Sequence, residues 1–491
     1  MKKTRIYITL ASALILLFSS CSKDFLNTPA PNISDESYFS SDEAALSALA
    51  GAYDPITRYD YFQIGEWMIG DVVSDDAEKG GEGPGDFAEG QDLKEFRANS
   101  ENSILAARWS QPYVGINRAN KLIDGVKDND KISKDLAERV VGEAKFLRAW
   151  YHFTLSKVFG KIPVINKVLM PSEFTLPQSS IEEVYAQIEK DLTEAIEVLP
   201  KKSELTAEEM GRATKGAAQA MLVKMYIFQE KWQEAADLSD KIIASGEYQL
   251  EPNYADIFTE KGENGVESVF EIQYLSIAGD DSWGDSNEGN VTAIFQGSRL
   301  LYDDKGDIVN GWGWGFDCPT QDLYDEFESG DPRLKATIIA DGDKVFEGTP
   351  DEETICTTFT GNITGYHSLK YYLPASRRND MSDSPNNWRA IRYAEVLLWN
   401  AEAKAHIGGD WQTPLNEVRA RVGLAPTTET DALEAVYHER RVELAMEGHR
   451  YWDLVRTGRG DKMPGYTENK RYMPIPQSEL SLNPNLVQNP Y

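Results

Sequence analysis

The chain has 491 residues, with 80 Asp and Glu against 50 Lys and Arg and a net charge of −30. A surface that acidic repels phosphate backbones, which argues against nucleic acid as a ligand. Its 11% aromatic content is too high for a disordered chain, and its length fits two or three domains or one large core with insertions.

Residues 1–20 read as a secretory signal. Lys2, Lys3 and Arg5 form a basic head, and Ile6 to Phe18 is apolar but shorter than the roughly 20 residues a spanning helix needs. The run ends FSSC, small residues directly before Cys21, which resembles the lipobox where bacterial lipoproteins are cleaved and acylated. Lipid of the palmitate type on Cys21 is therefore expected, tethering the protein to a membrane without spanning it. Residues 21–40 make a tether interrupted by prolines. Cys318 and Cys356 either pair or stay free, since spacing does not give their separation, and no CxxC pair supports zinc or redox chemistry.

Helical patterns dominate residues 41–249. Ser41-Asp42 caps an Ala/Leu-rich segment running to about Tyr59, and further helices are expected over Ser103 to Val126, Ser133 to Phe159 and Gln178 to Leu199. Ala213 to Ser245 reads as a helical hairpin, either generic or a tetratricopeptide unit: Leu222, Tyr226 and Ala235 fit that spacing, but Val223 stands where a small residue is expected and no proline closes it. Between 250 and 387 the pattern changes: VESVFEIQY alternates as a strand, within stretches rich in Gly, Asp and Asn. Helices resume over Trp388 to Ile407 and Asp431 to Arg456, in a closing part spanning 388–491. The expected fold is mainly α, one helical scaffold with a large loop-rich insert and a few short strands.

Enzyme motifs are missing. His438-Glu439 opens like HExxH, but Val442 stands where the second histidine belongs. There is no GxSxG elbow, no GxxxxGK[ST] loop, and the acidic loops do not follow the EF-hand spacing that would support a structural calcium. No catalytic, metal or cofactor residues are therefore expected. A glycoside hydrolase would need only two carboxylates, which 80 acids supply by chance.

Four blocks carry a family resemblance: GEAKFLRAWYHFTLSKVFGKIPV (Gly142 to Val164), RYAEVLLWNAEAKA (Arg392 to Ala405), ERRVELAMEGHRYWDLVRTGR (Glu439 to Arg459) and the tail MPIPQSELSLNPNLVQNPY. With CSKDFLNTP at the mature N-terminus, they resemble the SusD/RagB family. That resemblance implies a tetratricopeptide-like α-helical scaffold in a non-enzymatic outer-membrane lipoprotein facing the cell exterior. It implies an oligosaccharide ligand and a SusC-like TonB-dependent transporter as partner. The rival readings are a surface glycoside hydrolase and a tetratricopeptide-type scaffold that binds only proteins. Glu443, Glu447, Arg450, Asp453 and Arg456 recur every three or four residues and suit an ion-pair ladder along one helix, while Glu395 and Glu402 sit on one face and suit caps for neighbouring loops.

The candidate site lies in loops. NGWGWG stands before the helix-like TQDLYDEF, where the resemblance implies a glycan-stacking aromatic. If the backbone is extended, Trp312 and Trp314 face opposite ways, one stacking on ligand and the other anchoring the loop, with Trp314 favoured as anchor because Phe316 follows. The flanking glycines would let the backbone approach a bulky ligand. Trp283, in GDDSWGDSNEG, is the candidate second stacking face. In the acidic Gly-rich loop Asp71 to Asp92, the resemblance implies ligand contacts, and Asp75, Asp76 and Glu78 are the candidate acceptors for sugar hydroxyls. The aromatic that the family carries in that loop is missing unless Phe87 serves.

Overall fold

The computed structural model describes residues 38–276, 289–378 and 384–491. Its longer helices are α1 (Asp42–Thr57), α2 (Ala88–Lys94), α3 (Ser103–Val126), α4 (Lys134–Phe159), α5 (Ile181–Val198), α6 (Lys215–Phe228), α7 (Trp232–Ser245), α8 (Tyr393–Ile407), α9 (Gln412–Arg421), α10 (Ala432–Glu443) and α11 (Arg450–Arg456). The strands are β1 (Ala77–Gly80), β2 (Ser268–Ile272), β3 (Leu300–Tyr302), β4 (Ile308–Asn310), β5 (Phe316–Pro319), β6 (Ile338–Ala340), β7 (Lys344–Val345), β8 (Glu353–Cys356), β9 (Tyr366–Ser368) and β10 (Trp388–Arg392).

Local chemistry sets the helix ends. Ser41 accepts from the Ala44 N–H at α1, Asn102 from Leu105 at α3 and Thr214 from Ala217 at α6. Ser180 and Glu183 form a capping box at α5, and Gly160, at φ 70°, ends α4. The helices then stack in series: α1 on α3, α3 on α4, α4 on α5, α5 on α6, α6 on α7, α7 on α8, and α8 on α9 and α10. One large core runs through the stack, with Trp67, Tyr151, Phe146 and Trp399 fully buried. This is the helical scaffold that the periodicity predicts, tetratricopeptide-like as the resemblance implies. No helix among the described residues is long and apolar enough to cross a membrane.

Two expected helices are shorter than the periodicity suggests. Trp388–Arg392 is strand β10, antiparallel to β2, and α8 begins only at Tyr393. WRAIR satisfies both patterns, and a partner strand more than a hundred residues upstream decides between them. Asp431 to Arg456 is two helices, because Met446 (φ 61°) and Gly448 (φ 80°) break the chain between α10 and α11. The ladder along one helix survives only as the Asp453–Arg456 pair at 2.7 Å within α11. Glu443 takes Arg392, Arg333 and Arg421, and Glu447 takes Arg392 and Lys370, all from other segments. Nor do Glu395 and Glu402 cap loops. Glu402 is held by Arg456, while Glu395 is buried beside Lys224 and His449.

The insert is less loose than its composition suggests. Four short strands form one sheet in the order β4-β3-β8-β7, and β6 pairs with β9. β2 pairs with β10 and β5 with β1, so two insert strands are completed by strands from outside residues 250–387. Cys318 and Cys356 are both buried and both free.

Candidate functional site

Gly311 to Gly315 lies against residues 294–299, between β4, which pairs with β3, and β5, which pairs with β1. The N–H groups of Gly311, Gly313, Trp314 and Gly315 donate to the carbonyls of Arg299, Ser298, Ile294 and Gly297 at 2.8 to 3.0 Å. The glycines serve this pairing. A Cβ on Gly313 would overlap the Gly297 backbone, one on Gly311 the Ser298 carbonyl, and one on Gly80 the Gly315 carbonyl. The close approach expected toward a ligand is an approach to the chain's own backbone.

Trp312 and Trp314 enter different clusters, and both are half-buried. Trp312 packs over Gly297 with Ile339, Ile355 and Tyr372; the Tyr372 ring meets it edge-on at 5.1 Å and the Arg378 guanidinium covers its face at 4.1 Å. Trp314 meets Phe295 edge-on at 4.7 Å. Phe295 also contacts Phe87, from the acidic Gly-rich loop, and Phe316. Phe87 and Trp314 are half-exposed, whereas Phe295 and Phe316 are buried beneath them. Together they make an aromatic ledge. Arg299 runs along it, donating to the Trp314 carbonyl at 3.1 Å and pairing with Glu82. Both indoles are therefore packed against a core cluster, Trp312 with a guanidinium on its face and Trp314 against Phe295. Trp283 lies outside the described residues.

The three acids fare differently from their expected role as open acceptors. Asp75 forms a two-point pair with Arg450 at 2.7 and 2.8 Å. Burial alone would raise its carboxyl, but Arg450 and Arg441 hold it below its ordinary value. Asp76 is buried and accepts from Arg441 at 2.8 Å, and there burial wins over the guanidinium and pushes the carboxyl up. Both carboxylates are committed to guanidinium groups of the Glu439 to Arg459 block, which corrects their assignment as hydroxyl acceptors. Glu78 keeps a side chain about one-third exposed, 3.6 Å from Lys94. Beneath the loop, burial drives Asp71 and Asp317 well above the carboxylate range, with the Asp317 charge adding at Asp71. Asp71 accepts the Gly448 N–H and Asp317 accepts from Gln296.

Sequence reading missed Phe295, Arg299, Glu82 and Arg378. Nothing in their local sequence marks them; each matters through what folds against it.

Two family descriptions match this chain: the SusD family over residues 266–471, and "Starch-binding associating with outer membrane" over residues 85–227. A solved laminarin-binding SusD-like protein is 32% identical, with a TM-score of 0.81, covering 92% of this chain and 99% of its own. The chain belongs to the SusD family. Surface glycan-binding protein A from Bacteroides thetaiotaomicron, solved with laminarihexaose, is 27% identical with a TM-score of 0.79, covering 92% of this chain and 100% of its own. Among curated sequences, SusD-like protein P2 of Formosa agariphila is 27% identical over 97% of each chain.

Proposed function

We propose that this SusD family member is a lipid-anchored surface protein that captures oligosaccharide, without hydrolysing it, and hands it to a SusC-like TonB-dependent transporter. The ledge of Trp314, Phe87 and Phe295 beside Arg299 and Glu82 carries this reading. Sugar rings offer apolar C–H faces to an aromatic and hydroxyls to charged groups at its edge, and this surface supplies both. Trp314 is the stacking residue in this reading, with Phe87 as the aromatic of the acidic loop. Relatives that bind laminarin and laminarihexaose favour a β-glucan of that type as the first ligand to try. Cys21, after a lipobox-like run, is the proposed anchor and points to the outer membrane.

Isothermal titration with laminarihexaose, followed by a glycan array, tests the binding. Absence of binding to any glycan would sink the proposal, and turnover of a bound glycan would favour the hydrolase. Cys21→Ala should move the protein from the membrane pellet to the soluble fraction. Purification of the native complex in mild detergent checks the transporter, and recovery of this protein alone would count against a stable pair.

A further inference from the structure

Trp314 and Phe316 both lean on Phe295, but the position between them opens on a different side chain. A Cβ on Gly315 would meet the Phe359 ring at 2.6 Å and the Arg299 Cβ at 3.3 Å. The Arg299 side chain therefore starts beside Phe359 and ends at the Trp314 carbonyl and Glu82. Phe359 is half-exposed and stacks on the buried His367 at 5.5 Å. It belongs to residues 357–365, the turn that joins β8 to β9.

This turn is tied to the acidic Gly-rich loop. Gly361 lies on the backbone of Gly81 and Gly83, the two residues that flank Glu82, and a Cβ there would overlap the Gly81 carbonyl. Inside the turn, the Asn362 side-chain oxygen accepts from the N–H groups of Thr364 and Gly365, both at 3.1 Å. Its amide donates to the Tyr366 carbonyl at 3.1 Å. Asn362 and Gly365, at φ 81°, thus do the turning. Ile363 does none of it, yet it is 77% exposed, more than any other large apolar side chain among the described residues. A lone exposed apolar residue means little by itself. This one stands on a fixed turn whose backbone touches both neighbours of Glu82. Thr358 and Thr360, on either side of Phe359 in the chain, are exposed and bring hydroxyls to the same turn.

We infer that the 357–365 turn is a second wall of the glycan site, across the Arg299–Glu82 pair from the ledge. One sugar ring rests on Trp314. A ring further along the same oligosaccharide rests against Phe359 and Ile363, and the hydroxyls between them face Arg299 and Glu82. Thr-Phe-Thr suits this role, with an apolar ring for a C–H face and hydroxyls beside it. Asn362 and the Gly361 contact fix the turn beforehand, so little ordering remains to be done on binding. The inference rests on the glycan-capture reading above and adds a requirement of length. A short fragment reaches one wall, and a longer chain reaches both.

Isothermal titration of the purified protein with the series from laminaribiose to laminarihexaose tests this. The parent protein should gain affinity with length. Ile363→Asp should lose about tenfold on laminarihexaose and progressively less on shorter members, whereas Trp314→Ala should weaken every member that binds. The Ile363 side chain is exposed, so the melting temperature of Ile363→Asp should match the parent. Phe359→Ala should show the same dependence on length, and Ile363→Asp alone decides if melting shows that Phe359→Ala has lost its fold. Parent-like affinities of Ile363→Asp at every length overturn the inference, while the loss in Trp314→Ala leaves glycan capture standing. A loss equal at every length also overturns it, because the turn would then shape the ledge without adding a wall. A parent protein that binds no member of the series removes the β-glucan reading itself, and this inference with it.

Discussion

The Asp75 carboxylate and the Arg450 guanidinium meet at two points, 2.7 and 2.8 Å, although 375 residues of chain separate them. Asp76, the next residue, meets Arg441, nine residues before Arg450; the Nε and Nη2 of Arg441 both reach one carboxylate oxygen, at 2.8 and 2.7 Å. Removing one partner from such an enclosed pair leaves an uncompensated charge. Arg450→Met should lower unfolding stability by about 3 to 5 kcal/mol. Asp75→Asn in the same protein should return part of that loss. Urea denaturation of the two single variants and the double variant measures the coupling, and three additive losses would show that the pair does not act as a unit.

The two tryptophans should separate cleanly by measurement. Trp314→Ala is expected to weaken glycan binding by about 1 to 3 kcal/mol, the scale of a base lost from an aromatic platform. Trp312→Ala should instead lower stability by about 3 to 5 kcal/mol, as for a large side chain cut from a core. Titration and thermal melting of both variants read this out, and an affinity loss confined to Trp312→Ala would reverse the assignment.

Gly313→Ala tests the backbone contact directly. A methyl group there has no room beside Gly297, so residues 294–299 and 311–316 must part. Loss of both stability and glycan affinity is expected, since the ledge is built on both segments. Gly306→Ala is the control for positive φ alone, at φ 82° with open space around it, and should leave affinity intact.

Acid and base should act on different carboxylates. His438 and Arg441 hold Glu326 down to about 2 from its ordinary 4.5, so its stabilising contribution is present above pH 4.5 and fades as the pH falls through about 2. Glu263 goes the other way: burial raises it from 4.5 to about 7, despite the Asn387 N–H that it accepts. Its folded form binds the proton more tightly, so its contribution is complete below pH 4.5 and is lost as the pH rises through 7. Glu263→Gln should therefore gain stability over the parent above pH 7 and show no gain below pH 4.5. Denaturation midpoints at pH 4 and pH 8 check the sign.

Cys318 and Cys356 should both react with Ellman's reagent after unfolding in the absence of reductant and stay silent in the native protein. Burial also pushes the Cys318 thiol upward, which keeps it from ionising. A melting temperature that shifts when reductant is added would contradict the free thiols.

The helical scaffold was legible because its signals are local. Ser103 to Val126 is α3 with the bounds the periodicity predicts, and Ser41 caps α1 as expected. β10 was hidden because WRAIR becomes a strand only when β2 lies beside it, and the break after Glu443 because Met446 takes a left-handed turn that its side chain does not announce. At the site, two indoles among three glycines were conspicuous, yet their neighbours Phe295, Tyr372 and Arg378 come from other segments. Asp75 and Asp76 looked like open acceptors because a sequence of acids does not show which arginines lie across from them.

Gly70 and Gly448 touch backbone to backbone, with no room for a side chain on Gly70, and Asp71 receives the Gly448 N–H beside that contact. Such a junction imposes an order on assembly. A chain emerging from its N-terminus delivers the acidic loop early, but the surface that fixes the loop arrives only once residue 450 is out. Non-local closure of this kind is slow, and until it occurs Phe87 has no defined place in the ledge. A chain cut short before Arg441 would keep most of the helical stack while lacking the clamp that gives the binding surface its shape.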